Sequence, residues 1–214
     1  MRVKAILKSE NPLVDRRLKI IKGNIRNNIL LEKIFRESKN NGTPINAVVH
    51  FAGLKSVNKS VINPLKYWNV NVFGTINLLE VMAKNNCKTI VFSNSTTIYG
   101  LCNSNKIKEN TPIKPISPYG ETKATVKKIL NNIFLSNKND WRIANLRYFN
   151  PVGAHYSGLI GEDPKELPNN LFPNITKVAL NKINHLKIYG NDWETIEWYR
   201  RNRLYTFYGF SRRP

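Results

Sequence analysis

The stretch KTIVFSNSTTIYG, residues 88–100, decides how this chain folds. It opens on an apolar, β-branched run and turns polar at Ser93. An apolar run of this length, closed by small polar residues, reads as a buried strand. Two similar runs flank it, INAVVHFAG (45–53) and RIANLRYF (142–149). Helical patterns lie between them. Pro64 opens one that continues to about Asn86, with Leu65, Trp68, Val72, Ile76, Leu79 and Met82 at helical spacing. Pro118 opens another that runs to about Ser136, with Val126, Ile129, Ile133 and Phe134 expected to face inward. Strands alternating with helices imply right-handed crossovers and a parallel sheet, so the fold class is α/β. After Asn150 the texture changes to a Gly/Pro/Asn-rich loop over 151–170, then a helix near 170–182 and a strand expected at HLKIYG (185–190). A domain boundary is therefore placed near residue 150, with a larger domain over 1–150 and a smaller one over 151–192.

The 214 residues are 41% hydrophobic, enough for a sizeable core. Charge is lopsided, with 34 Lys and Arg against 14 Asp and Glu, a net +20. That excludes an acidic, disordered solvating protein. No run of 18 apolar residues is present, so no membrane partner is expected. The N-terminal stretch lacks the apolar core and small-residue site of a secretory signal, and two cysteines, Cys87 and Cys102, make no disulfide framework. A cytoplasmic setting is the expectation. The lysines are spread along the chain and accompany many Asn and Ile residues, whose codons are AT-rich. A spread charge is no binding footprint, so no nucleic-acid partner is expected. No cluster has metal-ligand spacing, and no metal is expected.

In doubly wound sheets, ligands sit beyond the carboxyl ends of the strands. Those ends are FAGLK (51–55), SNSTTIYG (93–100) and YFNPVGAH (148–155). The segment SPYGETK (117–123) places Tyr119 and Lys123 four residues apart at the start of a helix, on one face. A cation beside a phenol favours the phenolate and would bring the Tyr119 pKa down, making it a usable acid and base. Ser95 and Thr97, at the preceding strand end, offer hydroxyls to the same oxygen. The spacing alone recurs by chance in a chain rich in Tyr and Lys; its position after strand and loop gives it weight.

Taken together, HFAGLKSV, FSNSTTIYG, SPYGETK, LRYFNPVGAH, GEDPKELPNNLFP and IYGND, in this order, resemble the UDP-glucose 4-epimerase (UDP-galactose 4-epimerase) family of the extended short-chain dehydrogenase/reductase superfamily. The resemblance covers about residues 19–192. It implies a Rossmann-like, incomplete doubly wound sheet with a truncated small substrate domain. It implies an isomerase in which Tyr119, helped by Lys123 and Ser95, takes the proton of the sugar 4-hydroxyl while hydride passes to a tightly held NAD and returns to the other face. Thr97 is carried with the catalytic group. NAD contacts are implied for Asn24, Ile25, Phe51, Ala52, Gly53, Leu54, Lys55, Ser95, Tyr119, Lys123 and Phe149. UDP-galactose and UDP-glucose contacts are implied for Asn150, Asn170, Leu171, Lys187, Ile188 and Tyr189. The family's homodimers pair the helices corresponding to 64–86 and 118–136. Sister 4,6-dehydratases carry an Asp-Glu pair after the strand-end Ser/Thr; here Thr96-Thr97-Ile98 follow Ser95, which disfavours dehydration.

The chain departs from the family in several places. Residues 1–18 hold no glycine, so the Gly-rich turn that lets backbone approach a pyrophosphate is not found there, and weak cofactor binding is expected. Asn24 stands where the family has Asp, and Val70 where it has an Asn reaching toward NAD. Residues 193–214 contain five arginines and no lysine, unlike the rest of the chain. A one-base shift at Glu197 can be written in permitted codons that restore the family's continuation, so this tail is expected to be aberrant. Sheet surface left uncovered by a missing strand and helix is expected to be a solubility liability.

Overall fold

The computed structural model describes residues 18–101, 107–136, 140–153, 155, 157–162 and 170–187, and the backbone of 204–206. One compact unit runs from Ile21 to Tyr148; the described residues outside it belong to a second unit.

In the first unit, α1 (Asn28–Asn40) starts where the Asn27 side chain accepts from the Leu30 amide at 3.0 Å. Strand β1 (Ala47–His50) follows, then α2 (Val57–Ile62), capped by Ser56. Helix α3 (Pro64–Tyr67) passes through a π-helical turn, Trp68–Phe73, into α4 (Gly74–Lys84). The single helix expected from Pro64 to Asn86 is therefore three segments. Strand β2 (Thr89–Ser95) leads through a 3-10 turn, Thr96–Tyr99, and later into α5 (Pro118–Ser136) and β3 (Arg142–Tyr148). The three strands form one parallel sheet in the order β1-β2-β3, with Val48 beside Ile90 and Ile90 beside Ile143.

The core lies on one face of that sheet. Phe35 of α1, Leu78, Leu79, Val81 and Met82 of α4, Ile90 and Phe92 of β2, and Val126 and Leu130 of α5 pack there with Cys87 and Trp141. Alternate residues of β2 are buried, and those between are half-buried. On the other face Val49 is 59% and Leu146 43% exposed. The strands read as apolar on both faces, but only one face is covered among the described residues. Two positions differ from the helical reading: Leu65 is 80% exposed, because the π turn rotates α3 away from the α4 stripe, and Phe134 is 39% exposed, while Leu130 takes the inward place.

In the second unit, β4 (Asn150–Val152) pairs in parallel with β5 (Leu204–Thr206). Helix α6 (Leu171–Ala179) occupies the expected segment. Residues 185–187 form no strand, contrary to expectation; Ile188 and Tyr189 lie outside the described residues. So does the 193–214 tail, apart from the β5 backbone. No helix among the described residues is long and apolar enough to cross a membrane.

Candidate functional site

The carboxyl end of β2 and the start of α5 bring four expected residues together. Ser95 Oγ accepts from the Thr97 amide at 3.3 Å and from the Thr97 hydroxyl at 3.0 Å, so the strand end is closed by its own side chains. The Ser95 hydroxyl is close enough to the Tyr119 phenol to favour its ionised form. Lys123 Nζ donates to the Ser93 carbonyl at 2.7 Å. It lies 4.7 Å above the Phe92 ring and 5.9 Å from the centre of the Tyr119 ring. Gly120 lets α5 come this close: a Cβ there would stand 2.9 Å from the Thr97 carbonyl oxygen and 3.0 Å from Pro115 Cβ.

Electrostatics corrects one expectation. Burial pushes the Tyr119 phenol up rather than down; the Ser95 hydroxyl opposes this, and neighbouring Tyr67 adds to it. Desolvation of the phenolate is the largest cause. Burial also brings Lys123 down to about 8.

The β1 end supplies the second wall. Phe51, Ala52, Gly53 and Lys55 are exposed and Leu54 half-buried, so this loop is open to a ligand. Phe51 packs on Tyr148 with ring centres 6.3 Å apart. A Cβ on Gly53 would stand 3.1 Å from Asn71 Oδ1 and 4.0 Å from Lys123 Nζ, so the bare backbone leaves a cradle a side chain would fill.

Sequence reasoning missed the residues that hold this loop. Asn71 emerges from the π-helical turn and clamps Leu54 as a strand partner would, Oδ1 accepting from the Leu54 amide at 2.7 Å and Nδ2 donating to its carbonyl at 3.0 Å. Nδ2 also reaches Thr122 Oγ1 at 3.2 Å, tying the loop to α5. An asparagine therefore serves the strand-end loop from position 71, one residue beyond Val70. His50 is buried against Phe92, its Nε2 2.8 Å from Thr75 Oγ1, which donates to the Asn71 carbonyl at 2.5 Å. The signal available in sequence was a histidine inside an apolar strand and an asparagine inside an amphipathic helix.

The remaining expected residues are more scattered. Asn24 accepts from the Arg26 amide at 3.0 Å, and Arg26 in turn reaches Asn69 at 2.9 Å. The Ile25 carbonyl accepts from Asn77 Nδ2 at 2.6 Å, and Ile25 fills the space over Gly74. Both sit at the start of the first unit, beside α4. In the second unit Phe149 is half-buried and Asn150 exposed. Asn170 caps α6 through its backbone, and its side chain donates to Glu162 at 2.7 Å. Leu171 and Lys187 are exposed.

Known proteins with related sequences and folds point in one direction. The family model described as GDP-mannose 4,6 dehydratase matches residues 1–201. A bifunctional UDP-glucose 4-epimerase and UDP-xylose 4-epimerase of Pisum sativum is 49% identical over 173 residues, which are 81% of this chain and 48% of that one. A UDP-glucose 4-epimerase of Bacillus subtilis is 46% identical over 165 residues, 77% of this chain and 47% of that one. The crystal structure of a UDP-glucose 4-epimerase from Bifidobacterium longum with NAD+ and UDP superposes with a TM-score of 0.80 at 41% identity, covering 87% of this chain and 54% of that one. The chain spans about half the length of the curated relatives it matches.

Proposed function

This chain belongs to the family whose model is described as GDP-mannose 4,6 dehydratase, and from that membership we propose that it carries the proton-handling half of an NAD-dependent, UDP-glucose 4-epimerase-like isomerase site. The observation that carries the reading is Lys123 Nζ 5.9 Å from the Tyr119 ring centre and 4.0 Å from the position of a Cβ on Gly53, with the Ser95 hydroxyl acting on the same phenol. The substrates are UDP-galactose and UDP-glucose. Epimerisation fits better than dehydration, because the residues after Ser95 are Thr96 and Thr97 and offer no acid and base for elimination.

The Gly53 cradle, the Asn71 clamp and the Lys123 ammonium suit NAD, which supplies a reversible hydride acceptor when bound. Tyr119 Oη takes the proton from the sugar 4-hydroxyl and gives it back to the 4-keto oxygen. Ser95 Oγ orients that oxygen, and Thr97 Oγ1 orients Ser95. Lys123, held on the Ser93 carbonyl, places a positive charge where the phenolate develops. By resemblance to the family, Asn24, Ile25, Phe51 through Lys55 and Phe149 are the residues assigned to the cofactor. Asn150, Asn170, Leu171, Lys187, Ile188 and Tyr189 serve the UDP-sugar. An apolar groove between α4 and α5, lined by Ile76, Leu79, Ala83, Ile129, Ile133 and Trp141, supports a homodimer through these helices.

The test is titration of the purified chain with NAD, with and without UDP-galactose, following the near-ultraviolet absorbance of reduced nicotinamide. The reading expects NAD to bind and to become reduced on addition of the sugar nucleotide. Tyr119→Phe should keep binding and lose reduction by at least about a hundredfold in rate. A folded chain that binds no NAD at millimolar concentration would instead be a non-catalytic relative able at most to join a partner.

A further inference from the structure

Three buried side-chain atoms find no partner among the described residues: Asn94 Nδ2, Asn145 Oδ1 and Arg147 Nε. They share one place in the sheet. The β2–β3 ladder sets Asn94 directly beside Arg147 and Phe92 beside Asn145. Strand alternation puts all three on the face that carries Ile90 and Phe92. With strands about 4.8 Å apart and alternate residues about 6.6 Å apart, the three side chains leave the backbone within about 5 to 8 Å of one another.

The other ends of two of these groups are already fixed. Asn94 Oδ1 accepts from the Ser95 amide at 2.8 Å. Arg147 Nη1 donates to the Tyr99 hydroxyl and, at 2.8 Å, to the Glu109 carbonyl, with the guanidinium 5.5 Å from the Tyr99 ring centre. What remains is a set of two donors and one acceptor. A cation is repelled by the guanidinium, and an anion by Asn145 Oδ1. A water molecule accepts two hydrogen bonds and donates two, so it satisfies all three groups.

We propose that Asn94, Asn145 and Arg147 form an internal water site between β2 and β3, and that through the Asn94 amide this water fixes the backbone of Ser95. Asn94 and Asn145 are then positioning residues. Their side chains do not touch a reacting atom; they set the plane of the amide that holds the strand end. The site stands on the sheet geometry alone, and only its consequence for turnover rests on the proposed function.

A crystal structure of the unmodified chain showing ordered waters tests it directly. Density within hydrogen-bond distance of Asn94 Nδ2, Asn145 Oδ1 and Arg147 Nε is the expected result. Direct pairing of Asn145 with Asn94 or Arg147, no density, or an anomalous peak there after a bromide soak overturns it. Native-state hydrogen exchange gives a second readout. Asn145→Leu should speed exchange of the Ser95 amide about tenfold relative to the Ile90 amide of the same strand, the loss of one hydrogen bond. Asn145→Asp, which keeps the acceptor, should leave it protected. Ser95 and Ile90 accelerating together in Asn145→Leu would mean general loosening and would sink the proposal. Neither measurement depends on NAD binding, so the functional reading and the water site can fail separately.

Discussion

His50 and Lys123 are buried bases near one another, and each has a cost that depends on pH. Burial, and then the Lys123 charge, lower His50 from 6.5 to about 4. The unfolded chain binds the proton more readily between those values, so stability is full above 6.5 and is lost as pH falls toward 4. His50→Gln should remove that component, worth up to about 3 kcal/mol, and flatten the acid limb of a urea-denaturation series. An unchanged limb would mean that His50 is not the group responsible. Lys123 falls from 10.5 to about 8, again through burial, so the unfolded chain binds more protons between about 8 and 10.5. Stability from this group therefore rises with pH across that window. Lys123→Met should abolish the rise, checked by comparing denaturation midpoints at neutral and alkaline pH.

At the level of elements, the site depends on how closely α5 and the π-helical turn approach the strand ends. Gly120 costs the helix about 1 kcal/mol relative to Ala by propensity. Its replacement by Ala would nevertheless put a methyl against the Thr97 carbonyl, which is backbone and yields little. Overpacking of this kind costs about 1 to 3 kcal/mol, so Gly120→Ala should be destabilising on balance, read by urea denaturation. Asn71→Leu leaves the Leu54 amide and carbonyl without their clamp, each costing about 1 to 3 kcal/mol if still buried, or freeing the loop if not. Leu54 amide exchange should accelerate well beyond that of β2, and NAD affinity should fall with it. A variant with unaltered Leu54 exchange would show that the loop holds itself. The π turn makes this clamp possible, because the extra residue swings Asn71 toward β1 instead of along the α4 stripe.

At the scale of the whole molecule, the described residues cover the sheet on one face, while Val49 and Leu146 of the other face are exposed. A parallel sheet normally buries both faces, and exposed Val49 and Leu146 form part of an apolar surface. Replacing both with Lys should change stability by no more than about 0.5 kcal/mol each while lowering concentration-dependent self-association in light scattering. Unaltered association would place the sticky surface elsewhere. The strand and helix order was legible in the sequence because short β-branched runs and Pro-opened amphipathic stretches are local signals. The Tyr119–Lys123 spacing was legible because one helical turn brings i and i+4 together. The grip of Asn71 on Leu54 and the pairing of His50 with Thr75 were not, since 17 and 25 residues separate the partners. The direction of the Tyr119 shift was also hidden, because it depends on how much water the packed strand end excludes. By itself, then, the sequence determined the α/β order and the parallel strands, which follow from local periodicity, and set Tyr119 and Lys123 one helical turn apart. Only the tertiary structure decided which sheet face is covered, where the π turn aims Asn71 and which way burial moves each proton, because burial and long-range contacts belong to the packed chain rather than to any segment of it.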